Sequence, residues 1–323
     1  MPESAPRLDD IARVRDLLAT DIVRTPLVRC PGLEDLTGGE IEVWGKLEFL
    51  QRTGTFKARG ALATLRDLSP DQIAAGVTAV SAGNHAVATA FAARAAGSHA
   101  RVVMTASANP ARVEACRAWG ADVVFADDVH QAFEMAADIR AREGRHLVHP
   151  FEGPDIARGT GVVGLEICEQ LQSVDAIVVA VGGGGLIGGI ANAVRQIDEE
   201  VEIIGVEPEG ADSLHRSLAA GKPVGIDAVR TIADSLGAPY AMPYSFDLCR
   251  RFVSRMVRVS DDELRRAMGL LVRHMHIAVE PACAAATAAL LGPLLQSLAG
   301  KRVVLVFCGS NIDWATFVRD VYW

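Results

Sequence analysis

The sequence predicts an α/β protein built from two open, mainly parallel-sheet domains. Short apolar runs alternate with helical patterns through most of its 323 residues. Half of the residues are hydrophobic and only 5% are aromatic, a composition suited to buried parallel strands and closely packed helices. Turns of glycine, serine and asparagine follow several strands and open directly into helices, the places where open α/β sheets bind ligands.

The elements follow in order. A strand over 41–48 leads through a polar turn into a helix beginning at Lys57. Strands over 77–80, 100–104, 122–125 and 146–148 alternate with helices over 84–96, 111–119 and 129–142. That βαβαβαβ order requires parallel pairing. A second series runs through strand 176–181, a glycine turn, helix 186–197 and strand 202–207. After an irregular stretch come strand 255–259, helices 261–274 and 281–298, and strand 302–308.

A net charge of −8 argues against a nucleic-acid surface. No apolar run reaches membrane-spanning length, and the start lacks a signal-peptide profile. The six cysteines show no metal-ligand spacing, which fits a reduced, cytoplasmic setting.

Four tracts at strand ends carry chemistry. Lys57 lies at a helix start, beside unpaired backbone N–H groups, with Phe56 able to shield it from water. Both features favour a neutral amine, the form that attacks a carbonyl. Ser81-Ala82-Gly83-Asn84-His85 follows strand 77–80 and presents small residues and a helix N-terminus suited to a carboxylate. Alone it also reads as a simple helix cap by Ser81 or Asn84. Gly182-Gly183-Gly184-Gly185-Leu186 forms a phosphate-cradling loop. Gly183, Gly185 and Gly188, with Glu207 further on, also satisfy a dinucleotide fingerprint, G-x-G-x-x-G. A thiol, Cys308, sits at the last strand tip, where it can face a bound ring or pack as a buried apolar group.

Together these tracts resemble the fold-type II pyridoxal-phosphate enzymes with a tryptophan synthase β-like fold, specifically the serine/threonine dehydratase and serine racemase group. The resemblance runs from about residue 20 to the C-terminus. It rests on Lys46, Glu48, Gln51, Thr53, Gly54, Phe56, Lys57, Arg59, Gly60 and Ala61, on Ser81 to His85, on Gly182 to Leu186, and on Gly205-Val206-Glu207-Pro208, Thr231-Ile232-Ala233-Asp234 and Glu280-Pro281. It implies pyridoxal 5'-phosphate as cofactor, with Lys57 as the Schiff-base lysine and Phe56 packed on the pyridine ring. Asn84 would bond the ring hydroxyl, Gly182 to Leu186 would hold the phosphate, and Cys308 would face the ring nitrogen. Ser81, Ala82, Asn84, His85 and Ser235 would border the substrate. Residues 1–68 and 149–323 would form a large cofactor-binding domain, and 69–148 a small mobile one carrying the asparagine loop. A homodimer is implied as well.

The expected reaction is α,β-elimination of L-threonine or L-serine to a 2-oxo acid and ammonia. A thiol with a pKa of roughly 8.5 leaves the ring nitrogen largely unprotonated, which favours elimination. Ala82 stands where the racemases carry a serine for the second face, so a one-base lyase is expected. The alternatives are a dehydratase for hydroxyaspartate or phenylserine, an amino-acid racemase, or a silent amino-acid-binding protein. The glycine loop lacks the threonine usual in cysteine synthases. The chain ends soon after Cys308, leaving no room for a regulatory domain, so a catabolic enzyme is expected.

Several positions depart from the pattern. Ser235 replaces a usual glycine, and Thr160 a usual glutamine. The family's cation site is matched by Glu207 and Ala211, but Ser213 stands in place of its aspartate, leaving a divalent or monovalent cation open. The tract 237–244, with two prolines and two tyrosines, reads as a pocket wall for a larger side chain or as a surface or dimer loop.

Overall fold

The computed structural model describes residues 4–106 and 108–321. Ten strands fall into two sheets. The first comprises β1 (Leu27–Arg29), β2 (Glu42–Lys46), β7 (Ala176–Ala180), β8 (Glu202–Pro208), β9 (Arg255–Val259) and β10 (Arg302–Val306); the second holds β3 (Val77–Val80), β4 (Ala100–Thr105), β5 (Asp122–Ala126) and β6 (His146–Leu147). Their orders are β1-β2-β10-β7-β8-β9 and β5-β4-β3-β6. Every pairing is parallel except β1 with β2, which is antiparallel. The antiparallel edge strand is too short to register as an apolar run. All five residues of β7 are buried, as befits a strand covered by helices on both faces.

The predicted strand over 41–48 stops at Lys46, and Glu48–Leu50 forms a 3₁₀ turn. The reason is electrostatic. Glu48 turns inward to take Arg59 Nε at 2.8 Å, Arg59 Nη1 reaches Glu166 at 2.8 Å, and Lys46 Nζ reaches Glu166 at 2.5 Å. All four side chains are buried, and their charges cancel. This network ties β2 to the helix Lys57–Arg66 and to the helix Pro154–Gln170, and so sets the start of the helix that carries Lys57.

The predicted helix over 281–298 ends at Leu291. Gly292 leaves the helical region, and Pro293 disfavours helix at the residue before it. The last strand stops at Val306, because the carbonyls of Phe307 and Cys308 accept from Phe49 N and Phe56 N at 3.1 Å each. Other boundaries lie within two residues of expectation. The helix Pro154–Gln170 escaped the sequence reading. Its glycines permit close packing: a Cβ on Gly159 would lie 2.6 Å from Arg59 O, and one on Gly164 2.8 Å from Ile190 O.

Candidate active site

Lys57 is the first residue of its helix, with Phe56 at the N-cap. Its Nζ donates to Pro150 O at 2.6 Å and lies 5.1 Å from the centre of the Phe56 ring. Burial lowers its pKa from 10.5 to about 8, against the opposing pull of Cys308 and Glu280. Burial, rather than the helix start, is the chief cause.

The glycine loop follows β7 and opens the helix Gly185–Arg195. Gly184 has φ +88°. A Cβ on Gly183 would meet the Phe151 ring at 2.3 Å, and one on Gly185 would meet Phe151 O at 2.5 Å. No described residue accepts from the N–H groups of Gly182, Gly183 or Gly184. Unpaired N–H groups at a helix N-terminus suit a phosphate, so the loop fits the expected cofactor. Thr160 supports it by donating Oγ1 to Gly185 O at 2.8 Å.

Ser81 to Gly83 link β3 to the helix Asn84–Ala95, which Asn84 and His85 open. Ser81 Oγ accepts from Gly83 N at 3.1 Å. Asn84 Nδ2 donates to Glu280 Oε1 at 2.8 Å, Glu280 Oε2 at 2.9 Å and Ser235 Oγ at 3.1 Å, while its Oδ1 accepts from Asn311 at 2.9 Å. Burial raises the Glu280 pKa to about 7. His85 Nε2 meets Val148 O at 2.9 Å; burial and Lys57 lower its pKa to about 3. Its imidazole is thus neutral and bound to the backbone, which leaves the backbone N–H as the part of His85 suited to an anion. Cys308 is buried, and a hydrogen bond with Cys283, then burial, hold its thiol well above the usual range.

Residues 148–152 form a junction that the sequence reading missed. Val148 O and Pro150 O take His85 and Lys57, and Phe151 packs under the glycine loop. His149 Nδ1 accepts from Phe151 N at 3.2 Å and Glu152 N at 3.0 Å. Glu280 was named only as part of the resemblance, and the contacts that Glu280, Asn311 and Thr160 make here were not foreseen. The motif His-Pro-Phe directly after strand 146–148 was the available signal for the junction.

The dinucleotide fingerprint fails on geometry. Glu207 is buried and accepts from Leu214 N at 2.9 Å and His215 N at 2.7 Å, rather than facing a ribose. Burial raises its pKa to about 8. Ala211 is buried, and Ser213 Oγ donates to Ala238 O at 2.8 Å. Among the described residues no three His, Cys, Asp or Glu side chains gather into a metal set. In the tract 237–244, Tyr240 is exposed, whereas Tyr244 packs with Ala157 and Leu248 in a small core cluster.

A cleft of about 820 Å³ opens beside the asparagine loop. Ala82, Val87, Ala115, Trp119, Ile232 and Ile312 supply its apolar lining. Arg112 spans it to pair with Asp234, and Asn109 Nδ2 reaches Asp313 at 2.8 Å. Lys57 is not part of this outer lining; Ala82, Gly54 and Glu280 link the cleft to the lysine's surroundings.

A family model described as pyridoxal-phosphate dependent enzyme matches residues 18–309. The chain is 50% identical over 316 residues to phenylserine dehydratase from Ralstonia pickettii, covering 98% of this chain and 96% of that relative. It is 37% identical over 307 residues to L-threonine ammonia-lyase from Thermotoga maritima, covering 95% and 76%. Maize serine racemase superposes with a TM-score of 0.93 at 31% identity, covering 98% of this chain and 97% of that one.

Proposed function

The chain belongs to the pyridoxal-phosphate-dependent enzymes, as an ammonia-lyase of the dehydratase type, and on that premise we propose that it deaminates 3-phenylserine to phenylpyruvate and ammonia. The observation that carries this substrate is the likeness to phenylserine dehydratase along nearly the whole of both chains. It favours an aryl β-substituent over the threonine or serine expected from sequence. The apolar cleft wall formed by Val87, Ala115, Trp119 and Ile312 offers room for such a ring.

Pyridoxal 5'-phosphate supplies the electron sink for the pair left at the substrate Cα. Lys57 is the residue that would hold it covalently. The N–H groups of Gly182 to Leu186 would hold its phosphate, Asn84 its ring hydroxyl, and the neutral Cys308 thiol its ring nitrogen. The remaining work falls to the chain's own groups. The backbone N–H groups of the Ser81–His85 turn orient the substrate carboxylate. Lys57, which is lowered to about 8, takes the Cα proton as its neutral amine. Ala82 has no proton to give on the other face, which favours elimination over racemisation. Glu280 fixes Asn84 from behind. The unit over 69–148 closes the cleft through Arg112 and Asn109, and the assembly is a cytoplasmic homodimer.

The test is 2-oxo-acid release from L-threo-3-phenylserine, L-threonine, L-serine and 3-hydroxyaspartate. Burying a phenyl ring in place of a methyl is worth about 1.5–3 kcal/mol, so kcat/KM for phenylserine should exceed that for threonine by roughly 10- to 100-fold. Equal or better turnover of threonine would overturn the aryl assignment. D-serine forming from L-serine as fast as pyruvate would overturn the lyase assignment.

A further inference from the structure

We propose that His149 donates a hydrogen bond from Nε2 to the β-hydroxyl of the substrate, easing its departure as water. The inference rests on the elimination reading above.

The tautomer is set by geometry. Nδ1 accepts two backbone N–H groups, those of Phe151 at 3.2 Å and Glu152 at 3.0 Å. Its lone pair is therefore committed, and the proton of the neutral ring sits on Nε2. The ring is locked edge-on against Phe151, with centroids 4.7 Å apart at 90°. No described residue accepts from Nε2, and the side chain is only partly buried. Its neighbours in sequence bind two other nitrogen bases: Val148 O takes His85, and Pro150 O takes Lys57. Burial, reinforced by the nearby Lys57, lowers the His149 pKa to about 4. The group is thus a fixed, neutral N–H donor beside the amine that removes the Cα proton. A turn cap needs only Nδ1, so the cap alone leaves the second nitrogen without a task.

The step balances without any outside reagent. Lys57 Nζ takes the Cα proton. The Cα electron pair forms the Cα=Cβ bond, and the Cβ–O bond breaks with its pair going to oxygen. The proton on Nζ passes to that oxygen, which leaves as water. His149 stays neutral throughout; its hydrogen bond stabilises the charge that grows on the departing oxygen. The enamine then hydrolyses to the 2-oxo acid and ammonia.

His149→Asn keeps a short acceptor for the backbone N–H groups and removes the Nε2 donor; His149→Phe removes both. The holoenzymes are assayed with L-serine and 3-phenylserine, whose hydroxyl needs hydrogen-bond help, and with β-chloro-L-alanine, whose chloride does not. Solvent deuterium incorporation at Cα and the visible absorption of the bound cofactor are recorded alongside. Removing one such donor typically costs about 10²-fold in turnover. That loss is expected with both hydroxy substrates, with β-chloroalanine within about threefold, Cα exchange retained and the absorption unchanged. Equal losses on the chloro and hydroxy substrates, in either variant, would overturn the role of His149 and leave the lyase reading standing. If the wild type turns over β-chloroalanine but no hydroxy amino acid, the dehydratase reading itself fails.

Discussion

Removing the charge at position 57 should stabilise the cofactor-free protein in a pH-dependent way. Burial lowers Lys57 from 10.5 to about 8. A group whose native pKa lies below its unfolded value binds its proton more weakly when folded. The unfolded chain therefore holds the extra proton between pH 8 and 10.5, and stability rises with pH across that window. Below pH 8 the native state carries the whole cost of a buried ammonium, roughly 3 kcal/mol at about 1.4 kcal/mol per pKa unit. Lys57→Met removes this term and also loses the bond to Pro150 O, worth about 1 kcal/mol. The lost bond varies little with pH, so the useful quantity is the change in the mutant–wild-type difference. From pH 6 to 9.5 that difference should shrink by about 2 kcal/mol. Urea unfolding of both apo-proteins across this range measures it. A difference that stays flat would mean that Lys57 titrates as an ordinary solvated lysine, and the argument for its reactivity would fall.

Further outcomes follow from the same geometry. In Gly183→Ala the new Cβ falls 2.3 Å from the Phe151 ring; overpacking of about 1–3 kcal/mol should weaken cofactor binding by roughly tenfold or more, read by spectrophotometric titration with pyridoxal 5'-phosphate. Glu166→Ala leaves Lys46 and Arg59 sharing the single carboxylate of Glu48, so thermal unfolding should report a loss of about 3–5 kcal/mol. Burial raises Glu280 to about 7. Its contribution is fully present below the unfolded pKa of 4.5 and is lost as pH rises through 7, on the order of 3 kcal/mol. Glu280→Gln should flatten that decline in apo-protein unfolding between pH 4.5 and 7.5.

Lys57 and the glycine loop were legible because their constraints are local. A helix start, a strand tip and four successive glycines sit together in the chain, and backbone geometry demands them there. The partners of these residues were not legible. Glu280 lies 196 residues from Asn84, and Asn311 lies 227 residues from it; nothing in either neighbourhood announces the meeting. Lys46, Glu48 and Arg59 stand close in sequence, but Glu166, which completes their neutrality, belongs to a helix the apolar pattern did not reveal. The early stop of the helix at Leu291 is a different matter, because Gly292-Pro293 was visible and states the break outright. For His85 the family likeness implied a place beside the substrate but not which atoms face it; the fold spends the side chain on Val148 O.

The titratable groups around Lys57 share one tendency. Lysine is lowered to about 8, Glu280 raised to about 7, His85 and His149 lowered to about 3 and 4, and the Cys308 thiol raised. Near neutral pH each is pushed toward its uncharged form, chiefly by burial for Lys57, Glu280, His85 and His149, and for Cys308 by its hydrogen bond with Cys283 and then burial. A phosphate brought into such surroundings gains little from nearby side-chain cations. The groups packed on the glycine loop, among them Phe151, Leu236 and Cys249, are uncharged. Its compensation must come from aligned backbone dipoles: the N–H groups of Gly182, Gly183 and Gly184 and the start of the helix Gly185–Arg195. That demand explains why side chains are excluded there, since a Cβ at Gly183 or Gly185 would lift the backbone off Phe151. The same low-dielectric setting keeps the amine of Lys57 available for covalent chemistry. The residues 148–152, which touch Lys57, His85 and the glycine loop at once, hold these three at one fixed spacing. Two of those three ties use backbone carbonyls, so the spacing depends on the path of that loop more than on the side chains it carries.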